Sequence, residues 1–229
     1  MPLRSARSGK VSRDTVHHPL FARYYARISV TAETRMGMGG VRDRLLAGLS
    51  GRVIEIGAGN GLNFAHYPST VSEVVAIEPE RLLRQLAVEA ALRSEVPVDV
   101  VPGAAEALPV KSEAFDAAVV SLVLCSVRDA PRALAELRRV LRPGGTLRFF
   151  EHGTGGGRAM TYTQRGLDRT VWPRLNGGCH LARDPIATLR DAGFELGPYR
   201  RMLMPEKGPR LPTSYCVLGT ARRPAVREN

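Results

Sequence analysis

Val53-Ile54-Glu55-Ile56-Gly57-Ala58-Gly59-Asn60-Gly61 decides the fold of this chain. The apolar residues before Gly57 predict a buried β-strand. The Gly-x-Gly-x-Gly that follows predicts a sharp turn whose backbone can approach a ligand closely. In a dinucleotide fingerprint the third glycine comes three residues after the second, whereas here it comes two residues after it. Glu55 precedes the first glycine by two residues, where its carboxylate would repel a pyrophosphate. The stretch therefore indicates a site for a ligand that carries positive charge and no phosphate.

A second acidic residue follows the next apolar run. Glu78 comes after residues 74–77 and directly before Pro79, about 20 residues beyond the glycine turn. At that spacing, a carboxylate at the end of the second strand accepts hydrogen bonds from ribose hydroxyls. A solvated residue at a helix entrance is the alternative, but the spacing favours the ribose role.

Strand-like and helix-like segments alternate through the rest of the chain. Such alternation predicts a parallel sheet with helices on both faces. The predicted strands cover 52–56, 73–77, 98–101, 114–120, 146–150, 194–204 and 215–221, and the predicted helices begin at 19 and cover 38–49, 80–93, 130–141, 158–174 and 184–192. We divide the chain into a flexible basic tail (1–17), a helical cap or lid (18–50), one α/β domain (51–222) and a C-terminal tail (223–229).

From about residue 51 to residue 151 the chain resembles the class I S-adenosylmethionine-dependent methyltransferases. The glycine turn and Glu78 carry this resemblance, together with the loop 103–109, the residues 114–116 and the turn 139–145. It implies an α/β fold of the Rossmann-like, doubly wound type, with a mostly parallel seven-stranded sheet and an N-terminal helical cap. It also implies S-adenosyl-L-methionine as cofactor, S-adenosyl-L-homocysteine as its product, and no metal.

The resemblance implies a set of cofactor-binding residues. Glu55 would pair, directly or through water, with the cationic methionine end, and Glu78 would hold the ribose. The loop after the third strand would hold adenine. Many family members carry Asp where this chain has Ala104, so the adenine amino group would need another acceptor, such as Glu106 or a backbone carbonyl. The full set is Glu55, Gly57, Ala58, Gly59, Gly61, Asn63, Glu78, Pro79, Ala105, Glu106, Ser121 and Leu122.

A narrower resemblance extends into the C-terminal third. Residues 121–127 and 150–152, and then Gln164, Leu167, Asp168, Trp172, Gly178, Cys179 and Leu181, are similar to the methyltransferase-like alkyl-thiol S-methyltransferases. This implies a small-molecule thiol or dithiol as methyl acceptor, in secondary metabolism or detoxification. Methylation of a small-molecule oxygen, nitrogen or quinone carbon is the alternative.

His152 is the best candidate for a general base, because it follows the fifth strand at the edge where open α/β sheets bind ligands. A structural histidine bonded to a loop carbonyl is the alternative, and Glu151 is a candidate for orienting it. Asp168 is the second catalytic candidate. The candidate substrate-binding residues are Tyr24, Tyr25, Cys125, Gln164 and Trp172. For the two tyrosines and Trp172, a role in core packing is an open alternative.

The composition bears on partners and location. The formal charge is +11, but 30 of the 33 basic residues are arginine and they are scattered along the chain. This favours an ordinary solvated surface over a nucleic-acid groove. The three cysteines lie far apart, which predicts reduced thiols without a metal or redox pair. No apolar run reaches the roughly 18–20 residues of a membrane helix, and no signal peptide opens the chain.

These features favour a cytoplasmic, monomeric enzyme that acts on a small molecule. A nucleic-acid methyltransferase is the less favoured reading, because the chain lacks the Asn/Asp-Pro-Pro-Tyr/Phe type of loop of many base N-methyltransferases. A third alternative is a protein that binds the cofactor without catalysing a reaction.

Overall fold

The computed structural model describes residues 19–225, and a seven-stranded sheet forms its centre. The strands are β1 (Gly51–Ile56), β2 (Val71–Ile77), β3 (Val98–Val101), β4 (Phe115–Ser121), β5 (Leu141–His152), β6 (Glu195–Leu203) and β7 (Tyr215–Arg222). Their order is β3-β2-β1-β4-β5-β7-β6, and only β7 runs antiparallel to its neighbours. The doubly wound, mostly parallel sheet that we predicted is therefore confirmed.

Seven helices accompany the strands in this part of the chain. They are α1 (Pro19–Arg35), α2 (Met38–Leu46), α3 (Arg81–Ala91), α4 (Ala130–Val140), α5 (Gly157–Asp168), α6 (Trp172–Leu175) and α7 (Pro185–Asp191). α4 shows why the sequence pattern works: the Asp129 side chain accepts a hydrogen bond from Arg132 N, and Pro131 occupies the first turn. Both features favour a helix start. One face of α4 then buries Leu134 and Leu137 in the core.

The strand order places a crevice at one edge of the sheet. β1 pairs with β2 on one side and with β4 on the other. The chain first adds β2 and β3 on one side of β1, and then returns to add β4 and β5 on the other side. In open α/β sheets, ligands bind at such a switch point, beyond the carboxyl ends of the strands. β1 and β4 are buried along most of their length, which makes this edge a rigid platform.

Two predicted helices end earlier than expected. The helix predicted over 158–174 is divided into α5 and α6, because Pro173 cannot continue a helix: it lacks an N–H and its ring clashes with the carbonyl four residues earlier. Pro173 instead lies in the first turn of α6. The helix predicted over 38–49 ends at Leu46, just before Gly48 adopts a left-handed conformation.

The turn predicted at 142–145 lies inside β5. Phe115 pairs with Leu141 but Ala117 pairs with Thr146, so the intervening residues bulge out of the sheet. The predicted tail 1–17 lies outside the described residues, as do residue 18 of the predicted cap and residues 226–229 of the C-terminal tail.

Candidate functional site

A cavity opens at the carboxyl edge of the sheet. Its walls come from the glycine loop after β1, the end of β2, the loop after β3, the end of β4, α1 and the segment 177–178. Of the predicted cofactor residues, eight line it: Gly57, Gly59, Glu78, Pro79, Ala105, Glu106, Ser121 and Leu122.

The glycine loop is tightly packed. Gly57 and Ala58 both donate their backbone N–H to the carbonyl of Ile77, which ties the loop to the end of β2. A Cβ on Gly57 would lie 2.5 Å from Val123 Cγ2, and the backbone there has a φ of 67°. Only glycine fits this position. Gly61 is similar, since its Cβ would lie 2.7 Å from the Phe64 ring; it packs beneath the loop and does not line the cavity.

Glu78 faces the cavity from the end of β2. Its Oε2 accepts a hydrogen bond from Gly59 N at 2.7 Å, and its Oε1 accepts one from Glu80 N at 2.9 Å. The side chain is 4% exposed, and this burial raises its pKa to about 7. A carboxylate oxygen can accept more than one hydrogen bond, so Glu78 can hold the glycine loop and also accept ribose hydroxyls.

Glu55 lies behind the glycine loop and does not line the cavity. Its Oε1 accepts a hydrogen bond from Asn63 Nδ2 and its Oε2 accepts one from the Tyr67 hydroxyl, both at 2.7 Å. Asn63 in turn accepts a bond from Arg42. Burial raises the pKa of Glu55 to about 7. The pairing of Glu55 with the methionine end, directly or through water, stays a prediction, whereas the geometry shows Glu55, together with Asn63, supporting the loop. Ala58, also predicted, is buried and is not part of the lining either.

The loop after β3 closes the end of the cavity where adenine was predicted. Ala105 lines the cavity and is largely buried. Glu106 Oε1 accepts hydrogen bonds from Arg128 N at 3.0 Å and from Asp129 N at 3.4 Å. Glu106 therefore links this loop to the start of α4, and one of its oxygens is already engaged.

Helix α1 covers the cavity from above. Phe21 and Tyr25 line the cavity, and their ring centroids are 5.7 Å apart. Ser29, also buried, accepts a hydrogen bond from Asn60 Nδ2 at 3.0 Å, which attaches α1 to the glycine loop. Burial raises the pKa of Tyr25. Tyr24, predicted beside Tyr25 as a substrate residue, is 57% exposed and lies outside the cavity.

Glu151 organises the loop after β4. Its carboxylate accepts hydrogen bonds from the backbone N–H groups of Val123, Leu124 and Cys125, at 2.9, 2.9 and 3.2 Å. Just before them, Leu122 has a φ of 59°, which is unusual for a residue other than glycine. Glu151 thus shapes this loop, and its hydrogen bonds do not orient His152 as we had considered.

His152 belongs to a cluster that the sequence analysis missed. Its Nδ1 lies 3.4 Å from Cys179 Sγ, which lies 3.7 Å from Cys125 Sγ. Both cysteines are buried. The contact with Cys179, followed by burial and the nearby Glu151 carboxylate, raises the pKa of Cys125. Cys125 and Cys179 are 54 positions apart in the chain, so no local spacing announced the cluster.

The remaining predicted residues are Asp168, Trp172 and Gln164, and none of these three lines the cavity. Asp168 accepts hydrogen bonds from Leu181 N and Ala182 N at 2.7 and 2.9 Å, and so braces the segment that carries Cys179. Trp172 packs against the cluster. Gln164 is fully buried and donates to two backbone carbonyls. Within residues 19–225, Gln164 Oε1 and Trp172 Nε1 are buried polar atoms without a hydrogen-bond partner.

The chain matches known methyltransferases. Residues 54–149 match the family model described as a methyltransferase domain. The chain is 33% identical to human thiol S-methyltransferase TMT1B over 183 residues, which cover 77% of this chain and 73% of that protein. It is 31% identical to the ubiquinone/menaquinone biosynthesis C-methyltransferase UbiE of Syntrophotalea carbinolica over 170 residues, 69% of this chain and 70% of that protein.

A solved structure shares the fold. It is that of a SAM-dependent methyltransferase from Thermotoga maritima, titled a possible histamine N-methyltransferase, with a TM-score of 0.63 and 23% identity over 89% of this chain and 98% of that one. Among residues 19–225, no helix has both the length and the apolar character needed to cross a membrane.

Proposed function

Because this chain belongs to the class I S-adenosylmethionine-dependent methyltransferases, we propose that it methylates the sulfur atom of a small-molecule thiol. The observation that carries this proposal is the 33% identity to a protein named as a thiol S-methyltransferase. The similarity to a quinone C-methyltransferase makes carbon methylation the competing reaction.

The cavity fits S-adenosylmethionine. Glu78, buried at the end of β2, has the position and chemistry to accept the ribose hydroxyls. Ile77, Ala105 and Leu122 provide apolar walls for a flat base. Glu78 and Glu80 favour a cation over a phosphate. When bound, the cofactor supplies an electrophilic methyl group on a sulfonium.

The residues of this chain contribute mainly position and the exclusion of water. Glu151 holds the loop after β4 beside the cavity, and Phe21 and Tyr25 cover it. Methyl transfer to a thiolate joins opposite charges into neutral products, so a pocket poor in water favours the reaction. Alignment of the two reactants supplies much of the remaining rate enhancement.

The cysteine and histidine cluster adjoins the cavity without lining it. Ser126 and Gly178 line the cavity, and each is the chain neighbour of a cluster cysteine. A thiol with a pKa near 8.5 is already a few per cent ionised at neutral pH, so the acceptor needs little help from a base. An acceptor of this kind does not require His152 as a base, which is compatible with the contact between His152 Nδ1 and Cys179.

A competition assay tests the proposed acceptor. The purified protein is given a thiol, an alcohol and an amine with the same carbon skeleton, and separately a quinol, and the release of S-adenosylhomocysteine is measured. We expect the thiol to be methylated at least about tenfold faster than the others, since only it is appreciably ionised as a strong nucleophile. Preferred methylation of the alcohol, the amine or the quinol carbon would contradict the proposal.

A further inference from the structure

The cluster of Cys125, His152 and Cys179 has the composition of a metal site. One ligand atom from each residue lies within 4.8 Å of the other two. Two thiolates and an imidazole are the ligand types that zinc prefers. Tetrahedral zinc with Zn–S of about 2.3 Å and Zn–N of about 2.0–2.1 Å places its ligand atoms roughly 3.5–3.8 Å apart. The separations of 3.7 Å between the sulfurs and 3.4 Å between Cys179 Sγ and His152 Nδ1 are close to these values.

The backbone around the cluster is held in place on both sides. His180 N donates to the carbonyl of Cys125 at 2.8 Å, which joins the two cysteine-bearing segments. Arg183 Nη1 donates to the carbonyls of Leu124 and Val127 at 2.6 and 2.7 Å. Together with the hydrogen bonds of Asp168 and Glu151, these contacts fix the positions of the ligand-bearing residues.

An unpartnered polar atom lies next to the cluster, on Trp172. Trp172 packs against the cluster, and its Nε1 is a buried donor that has no acceptor among the described residues. A buried N–H without a partner is costly. A polar or anionic group of a bound molecule beside the cluster would satisfy it.

We propose that Cys125, His152 and Cys179 bind a zinc ion, with the fourth position left open for the acceptor thiol. Three protein ligands and an open position are typical of catalytic zinc sites, and two cysteines with one histidine form one such set. The part of this inference that concerns the acceptor rests on the proposed function; the metal site does not. It reverses the sequence-based expectation of no metal.

The reaction balances without an oxidant or reductant. The acceptor thiol replaces water at the metal and releases its proton to solvent. Its sulfur then forms a bond to the methyl carbon, while the bond from that carbon to the sulfonium sulfur breaks and leaves its electron pair on that sulfur. The products are a neutral thioether, which is a weaker ligand than the thiolate and leaves the metal, and S-adenosylhomocysteine.

Metal titration tests the site itself. Reduced, chelator-treated protein is titrated with Co²⁺, followed by thiolate-to-cobalt charge-transfer absorption, and the cobalt is then displaced with Zn²⁺. We expect one equivalent to bind. Changes in outer-shell partners already weaken metal sites by about 10–100-fold, so Cys125→Ser, Cys179→Ser and His152→Ala should each weaken binding at least about 100-fold.

The third buried cysteine offers a matched control. Cys216 lies outside the ligand cluster, so Cys216→Ser should bind metal as the wild type does. Thermal unfolding and S-adenosylhomocysteine binding check that each variant is folded. The site is refuted if the wild type binds no metal tightly, an outcome that does not depend on any variant. It is also refuted if the wild type binds metal no more tightly than Cys179→Ser.

A second measurement tests the open position. The cobalt-loaded wild type receives 2-mercaptoethanol or, as the matched alcohol, ethylene glycol. We expect the thiol alone to strengthen the charge-transfer absorption, and no change would refute the open position. If the chelated enzyme methylates thiols at an undiminished rate, the role of zinc fails while the proposed function stands. If thiols bind the metal but alcohols are methylated in preference, the proposed function fails while the metal site stands.

Discussion

Two buried carboxylates, those of Glu78 and Glu151, hold loops of this site in place. Each accepts hydrogen bonds from backbone N–H groups of a loop that borders the cavity. A carboxylate is suited to this because both of its oxygens only accept. Replacing either residue therefore alters the hydrogen bonds that shape a loop, and replacing Glu78 also changes the charge of the cavity.

For Glu78 we expect that Glu78→Gln weakens S-adenosylhomocysteine binding by roughly 10- to 100-fold. A hydrogen bond to a charged group is worth about 1.5–3 kcal/mol, and each 1.4 kcal/mol is a factor of ten in affinity. Gln keeps one acceptor oxygen for the two backbone donors, Gly59 N and Glu80 N, so the protein should lose some stability but still fold. Titration calorimetry measures the affinity, with the exposed Glu89→Gln on α3 as control. Unchanged affinity in a folded Glu78→Gln protein would remove Glu78 from the site.

For Glu151 the expected effect is on both stability and turnover. In Glu151→Gln, the amide N–H₂ group would face backbone N–H donors that bond to a carboxylate oxygen in the wild type. We expect the free energy of unfolding to fall by about 1.5–3 kcal/mol, and kcat to fall more than the affinity for S-adenosylhomocysteine. Chemical denaturation and steady-state kinetics measure the two effects, and Glu195→Gln on the exposed edge of β6 is the control. Wild-type stability in Glu151→Gln would show that the loop does not depend on this carboxylate.

At the scale of elements, helix α1 covers the cavity, with Phe21 and Tyr25 in its lining. It packs against α2 and α3 and presents Phe21, Tyr25 and Ser29 toward the site. Tyr24, which directly precedes Tyr25 in the sequence, is exposed to solvent. α1 therefore has one face directed at the ligand, which supports the lid that we proposed for the N-terminal region.

The two adjacent tyrosines provide a direct comparison. We expect Tyr25→Ala to weaken S-adenosylhomocysteine binding by roughly tenfold or more, because burying one large apolar side chain is worth about 1.5–3 kcal/mol. Tyr24→Ala should change the affinity less than about twofold. Calorimetry on both variants decides the matter: equal effects of the two substitutions would exclude a specific lid contact by Tyr25.

At the scale of the whole molecule, the arginine-rich composition has a structural role. Backbone carbonyls of loops accept hydrogen bonds from Arg84, Arg139 and Arg183, and a carbonyl in the last turn of α4 accepts one from Arg223. The planar guanidinium can serve several acceptors at once. Part of the arginine content therefore has a structural role within the fold.

Burial of the carboxylates links stability to pH. Glu55 and Glu78 both have pKa values raised to about 7 in the folded state, chiefly by burial, whereas an unfolded Glu titrates near 4.5. The folded state therefore keeps protons that the unfolded state loses. The stability from this source is fully present below pH 4.5 and is lost as the pH rises through about 7.

We expect the melting temperature of the ligand-free protein to fall between about pH 5 and 8 more steeply than that of Glu55→Gln, which lacks one of these groups. Differential scanning calorimetry at several pH values measures both. The comparison cancels the titration of the rest of the surface. Parallel curves for the two proteins would mean that Glu55 is not protonated in the native state near neutral pH.

Local patterns were sufficient for the sheet. They also selected eight candidate cofactor residues that line the cavity. The apolar run before Gly57, the acidic residue at 78 and the alternation of strands and helices predicted the architecture, because each depends on neighbours within a few residues. The division of α5 from α6 was predictable too, since Pro173 is visible in the sequence and its effect on a helix is local.

The cysteine and histidine cluster depended on tertiary structure. Cys125 follows β4, His152 ends β5, and Cys179 lies in a loop that Asp168 holds in place from α5. No spacing along the chain relates these three residues, because their proximity follows from the pairing of β4 with β5 and from the packing of the later segment over both. The true partners of Glu55 and Glu151 were hidden for the same reason. Residue types and local structure can be predicted from the sequence. The hydrogen-bond partner of a buried polar side chain cannot, because it depends on which residues the fold places next to that side chain.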